Sequence, residues 1–167
     1  MIEIFSNTLS EEQLNKYVSL CSNNNFDETP KMDSNNDMVN YYYRKAVHID
    51  KSIIDKSYDL IKEKNNKLKY RFTNGWINTV YENSNLDDTF HTDEDDLTII
   101  IYLNEDYTGG EFEYRIDNTF YQIKPKINSA IMMNNRLPHR VKNVTTGIRY
   151  SLALFFKHIE KSNKSIL

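Results

Sequence analysis

Four residues of this chain have types and spacings that suit joint chemistry: His91, Asp93, His139 and Arg149. His91 and Asp93 flank a single residue in TFHTDEDDLTIIIYLNEDYTGGEFEY (89–114), so a bend there converges both side chains. His139 comes 48 residues after His91, and Arg149 ten residues after His139. Two imidazoles and one carboxylate on one face of a metal suit Fe(II) and leave positions open for other ligands. A planar, permanently charged guanidinium grips a carboxylate through two parallel hydrogen bonds. Side chains alternate along a strand, so Ser151 shares a face with Arg149 and adds a hydroxyl there. Taken alone, His-x-Asp is better explained by a solvated acidic loop, and the matched His139 and Arg149 carry the metal reading.

The elements that must position these groups fall into two parts. Ser10 with Gln13 three residues on forms a capping box, and Leu9 with Leu14 a hydrophobic staple, so the first predicted element is a helix. Leu14, Tyr17, Val18 and Cys21 fall on its one apolar face, which makes Cys21 a packing residue. Residues 22–37 read as a polar loop and 38–49 as a strand. Asp50 caps a second predicted helix over 51–65, with Ile53, Ile54, Tyr58 and Ile61 as its stripe. From about residue 68 the pattern changes. LKYRF, WINTVYE, LTIIIYLN, GEFEYR, TFYQI, SAIMM and RYSLALFFK are short β-forming runs separated by turn residues. The fold class expected is mainly β with flanking helices: one domain over 1–167, with support over about 1–67 and a β core over about 68–157.

Composition narrows the function classes. The net charge of −3 argues against a surface built for the nucleic-acid backbone. One Cys excludes an intrachain disulfide and suits a reducing compartment. The start of the chain shows no secretory signal pattern, and no apolar run reaches the ~20 residues of a membrane helix. A cytoplasmic protein without a membrane partner is the expectation.

With these residues in view, the chain resembles the 2-oxoglutarate- and Fe(II)-dependent dioxygenases, in particular their prolyl 4-hydroxylase-like branch. The resemblance spans roughly residues 74–157. It rests on Tyr81 ten residues before His91, on the His91-x-Asp93 pair, and on IYLNEDYTGGEF, IKPKINSAIMM and HRVKNVTTGIRYSLALFF. It implies a double-stranded β-helix, a jelly-roll core with the metal inside one end. It also implies His91, Asp93 and His139 as iron ligands, and Arg149 as the partner of the far carboxylate of 2-oxoglutarate. Tyr81 and Tyr102 match pocket-lining phenols, with Ser151 beside them. O₂ is the co-substrate, ascorbate is compatible as a supporting reductant, and succinate and CO₂ are products. The implied reaction hydroxylates a protein or peptide side chain, proline first. The alternatives are the same chemistry on lysine or a nucleic-acid base, or a catalytically silent jelly-roll binding module.

Two local features depart from or add to the pattern. Asn128 stands where many relatives carry glycine; Asn tolerates a left-handed turn better than other residues with a side chain. Asp87, Asp88, Glu94, Asp95 and Asp96 crowd the His91–Asp93 pair. They read as a solvated face, or as a rim that favours cationic or neutral substrates.

Overall fold

The amphipathic stripes and alternating runs assemble, in a computed structural model, into helices packed on one face of a large antiparallel sheet. The structure describes residues 2–23, 42–64, 66, 68–82 and 89–159. In chain order the elements are β1 (Ile2–Ser6), α1 (Glu11–Ser22), β2 (Tyr42–Ala46), α2 (Lys51–Lys64) and β3 (Tyr70–Tyr81). There follow β4 (Leu97–Tyr102), β5 (Thr108–Gly109), β6 (Phe112–Ile116), β7 (Thr119–Ile123) and β8 (Ser129–Asn134). The chain continues with β9 (His139–Val141), β10 (Val144–Thr146) and β11 (Ile148–His158).

Six strands form the major sheet, in the order β1-β8-β4-β11-β3-β2. A three-stranded sheet, β7-β6-β9, and a short β10-β5 pair complete the sheets. Phe112, Tyr114, Ile123 and Val141 of the three-stranded sheet pack with Tyr102, Ile131 and Met133 of the major sheet. The two sheets therefore enclose a core between them, the jelly-roll arrangement expected from the sequence.

The predicted helices form where expected, α1 with its capping box and α2 with its apolar stripe. Gln13 N–H donates to Ser10 Oγ at 3.2 Å, and Ser10 N–H donates to Gln13 Oε1 at 2.9 Å, so the capping box closes in both directions. Tyr17 and Cys21 are fully buried, with Leu9, Leu14 and Val18 in the same cluster. In α2, Ile53, Ser57 and Ile61 are buried, while Ile54 and Tyr58 pack alongside. The Asp50 carbonyl accepts the Ile53 and Ile54 N–H groups, and its carboxylate takes a 2.6 Å contact from Lys16 Nζ on α1. These helices cover one face of the major sheet, onto Ile77, Leu97, Ile99, Leu152, Leu154 and Phe156.

Three details correct the element list. The first element is β1, which pairs antiparallel with β8 from Ile2↔Met133 to Ser6↔Ser129, rather than α1. LKYRF and WINTVYE are one twelve-residue strand. A register shift between Phe155 and Phe156 lets β11 follow it, and Gly75 admits Ile49, which a Cβ there would overlap. The 38–49 strand is described as Tyr42–Ala46, its earlier part lying outside the described residues.

Turn chemistry holds the mouth of the core. Asn128 adopts φ 57 as expected of that position. Its side chain also accepts from Leu9 N–H at 2.8 Å and donates to the Leu9 carbonyl at 2.9 Å, tying the entry of α1 to the β core. Among the described residues no helix is long and apolar enough to cross a membrane.

Candidate metal and co-substrate site

Backbone pairing creates the metal constellation. His91 N–H donates to the His139 carbonyl at 3.0 Å, and His139 N–H donates back to the His91 carbonyl at 2.9 Å. This isolated antiparallel bridge sets the two imidazoles side by side, with ring centroids 4.6 Å apart. Asp93, two residues on, brings its Oδ2 within 3.7 Å of His139 Nε2. One potential ligand atom from each of His91, Asp93 and His139 lies within 4.8 Å of the others.

Each ligand candidate is oriented by a further contact. His139 Nδ1 lies 2.9 Å from the Leu137 carbonyl. A carbonyl only accepts, so Nδ1 carries the proton and Nε2 keeps its lone pair for a metal. His91 Nδ1 has the same relation to the Thr89 carbonyl, at 3.4 Å. Thr98 Oγ1, buried on β4, donates to Asp93 Oδ2 at 3.4 Å. Phe112 stacks on the His139 ring at 5.5 Å and 24°. Burial pushes the His139 pKa below its ordinary value, although the Leu137 carbonyl and Asp93 oppose this. The neutral imidazole that results is the form that binds metal.

Farther along the same sheet face lies a buried cation. Arg149 on β11 is only 3% exposed, and among the described residues no carboxylate pairs with it. Its guanidinium carbon sits 5.0 Å from the Tyr102 ring centroid. Arg149 Nε, Tyr102 OH and Tyr107 OH are all buried without a hydrogen-bond partner among the described residues. Burial raises the Tyr102 phenol to about 12 and also raises the Tyr107 phenol, with the Arg149 charge opposing both shifts. Both tyrosines are therefore neutral donors at physiological pH. A buried guanidinium without a counter-charge is costly unless an anion completes it. Two phenols and a guanidinium aimed at one place have the chemistry of a carboxylate site.

Gly110 keeps that place open. It has φ +66, and a Cβ there would stand 3.0 Å from Arg149 Cδ and 3.1 Å from Tyr107 Cε2. A side chain at 110 would thus be strained and would also press on the cation.

The predicted residues divide as follows. Ser151 is 1% exposed and pairs in register with Tyr102 on β4 and Asn78 on β3, so it shares the Arg149 face. Tyr102 lies on that face too. Tyr81 does not: it pairs with Ile148, one residue out of step with Arg149↔Val80. Alternation turns it to the side of Thr79, whose hydroxyl donates to the Cys21 carbonyl. The phenol that joins Tyr102 is Tyr107, which the sequence reading did not single out within IYLNEDYTGGEF. The signal available was the adjacent Gly109-Gly110, a sign that something approaches the backbone closely.

The acidic cluster is partly structural. Asp96 Oδ2 accepts His158 N–H at 2.8 Å, and Asp95 Oδ1 accepts Thr73 Oγ1 at 3.3 Å. Glu94 is exposed. Asp87 and Asp88 lie outside the described residues.

The chain is similar to known proteins in sequence over part of its length and in fold. The family described as 2OG-Fe(II) oxygenase superfamily matches residues 79–157, the stretch that carries every residue of the constellation. Prolyl 3-hydroxylase 2 of Homo sapiens is 38% identical over 66 residues, which is 36% of this chain and 9% of that protein. The chain thus matches under a tenth of that relative's length. In fold, the chain is similar to a prolyl hydroxylase from Trichoplax adhaerens, solved with a peptide fragment of hypoxia inducible factor. That likeness has a TM-score of 0.67 at 15% identity and covers 93% of this chain and 83% of that one. The viral collagen prolyl hydroxylase from Paramecium Bursaria Chlorella virus-1, in its 2OG complex, gives a TM-score of 0.63 at 17% identity, covering 95% and 96%.

Proposed function

We propose that this chain, which matches the 2OG-Fe(II) oxygenase superfamily over residues 79–157, is an oxygenase of that superfamily and hydroxylates a proline side chain of a protein or peptide. His91, Asp93 and His139 would hold Fe(II), and Arg149 would hold the far carboxylate of 2-oxoglutarate. The observation that carries this reading is the convergence of those three ligand atoms within 4.8 Å, on a bridge that fixes both imidazoles. Proline is favoured because the prolyl hydroxylases above share both segment and fold. The bound metal and co-substrate supply the O₂-dependent oxidation that leaves succinate and CO₂.

The chain's own residues supply position and exclusion of water. The Leu137 carbonyl keeps the His139 Nε2 lone pair free, and Thr98 orients the Asp93 carboxylate. Arg149, Tyr102 and Tyr107 offer charge and two O–H donors to one carboxylate, with Ser151 a further hydroxyl on the same face. Phe112 and Val144 are 0% and 1% exposed, Phe112 stacking on the His139 ring and Val144 packing with Tyr107.

The test begins with anaerobic addition of Fe(II) and then 2-oxoglutarate to purified protein, followed by visible absorbance. A charge-transfer band is expected. Proline-containing peptides are then supplied with O₂ and ascorbate, and mass spectrometry follows the gain of one oxygen against succinate formed. A band with oxygen gained on lysine instead would sink the proline assignment alone. No band from folded protein would sink the oxygenase reading itself.

A further inference from the structure

The exposed apolar side chains are not spread evenly over the molecule. Ile116, Phe120 and Tyr121, at 46%, 62% and 42% exposure, all lie on the β6–β7 hairpin. The hairpin is also joined to the metal constellation. Tyr114 pairs directly with His139 across β6 and β9, and Tyr121 pairs directly with Tyr114 across β6 and β7. Directly paired residues share a face, so His139, Tyr114 and Tyr121 form one row running outward from the candidate metal ligand. The Tyr114 and Tyr121 rings are stacked at 5.1 Å and 11°. The row ends on β7, an edge strand of its sheet.

The opposite face of the hairpin is fastened to the ligand segment. Phe120 lies 5.4 Å from Phe90, the residue before His91. Arg140 and Arg115 cover the same Phe90 ring at 4.6 and 5.6 Å. Arg140 is itself held by Glu113, with Nη2–Oε2 at 2.7 Å. One side of the hairpin is thus anchored at His91, which holds the tyrosine side in fixed relation to the triad.

We propose that Tyr114 and Tyr121 form a substrate platform, on which an extended proline-containing polypeptide lies as it delivers its target residue to the triad. The inference rests on the oxygenase reading above and adds the residues that select its substrate. Flat aromatic rings suit proline rings, and a polyproline II segment loses little conformational entropy on docking. Tyr121 is the outer and more exposed member, so it is the position at which selectivity is set.

The test uses fluorescence anisotropy of a fluorescein-labelled alternating proline–alanine peptide, with a glycine–serine peptide as reference. Wild type, Tyr121→Phe and Ile4→Ala are expected to bind the proline peptide alike, Ile4 being an exposed apolar residue on β1. Tyr121→Ala is expected to bind it about 3- to 10-fold more weakly. Equal binding by Tyr121→Ala and wild type would overturn the platform, as would absence of preference for the proline peptide in wild type. So would light scattering that shows a wild-type dimer converted to monomer by Tyr121→Ala, because the row would then be a contact between copies. The Fe(II) and 2-oxoglutarate band, measured on the same samples, separates the two claims. Its presence with no effect at Tyr121 rejects the platform and leaves the oxygenase reading standing. Its absence rejects the oxygenase reading, while the anisotropy still decides the platform.

Discussion

The two faces of the major sheet are made of alternate residues of the same strands, yet they solve opposite problems. On β11, Leu152, Leu154 and Phe156 turn to the helices, each 0% exposed, in a cluster of apolar side chains. Arg149 and Ser151, their neighbours in sequence, turn to the other side and are also buried. On the helix side, buried polar groups find partners: Ser57 Oγ donates to the Ile53 carbonyl at 2.8 Å, and Thr79 Oγ1 to the Cys21 carbonyl at 3.2 Å. On the inner side, Tyr102, Tyr107 and Arg149 keep buried polar atoms without a hydrogen-bond partner among the described residues. A sheet that satisfies one face and leaves the other incomplete stores its stability on the first and its ligand affinity on the second.

The sharpest way to break this division is at the constellation itself. His139→Ala is expected to abolish the Fe(II) and 2-oxoglutarate band and to lower turnover by at least about 10³-fold, since one of three ligands is lost. Circular dichroism should still report a folded protein, because the bridge with His91 is made by backbone atoms. Unfolding of this variant would show that the inner side also holds up the fold.

The matching change on the helix side is Leu152→Ala. Removing a fully buried leucine costs about 2–5 kcal/mol, and urea denaturation should show that loss with the 2-oxoglutarate requirement unaltered. Arg149→Leu reverses the pattern. It deletes a buried cation that no carboxylate among the described residues pairs with, so stability without co-substrate is expected to stay level or rise. Affinity for 2-oxoglutarate should fall by about 10- to 100-fold, the worth of charge-assisted hydrogen bonds. Lower stability with intact affinity would exchange the roles assigned to the two faces.

The same contrast explains what was legible in the sequence. Regular spacing encodes the helix side well: the α1 and α2 stripes and the Ser10–Gln13 box follow from periodicity of 3.6 and a local capping rule. The triad was legible because chain order brings β9 beside the His91 segment whenever the core closes as a jelly roll. Tyr81 was singled out by its spacing before His91, which carries no register information; the structure pairs it with Ile148, beside the Arg149↔Val80 pair, and that register depends on β11. Tyr107 was missed because it lies outside any regular strand, where alternation predicts nothing. β1 was missed because five residues at the start of the chain gain their strand character only from β8.

The smallest expected effect tests how tightly the helix side is sealed. Cys21 is fully buried beneath α1, and burial raises its thiol from the ordinary 9.0 to about 12. At pH 8 an aromatic disulfide reagent should therefore label it only as fast as the protein opens, and Leu152→Ala should speed labelling in proportion to its lost stability. The sign of the pH dependence follows from the same shift. Between about 9 and 12 the folded state holds the thiol proton and the unfolded state has lost it, so the unfolded chain binds fewer protons and stability falls as pH rises. Cys21→Ala should flatten that fall in alkaline urea titrations while leaving the neutral-pH co-substrate affinity as it was. A thiol that reacts at once in the folded protein would mean that the helix side is open to water, and that burial alone does not distinguish the two faces.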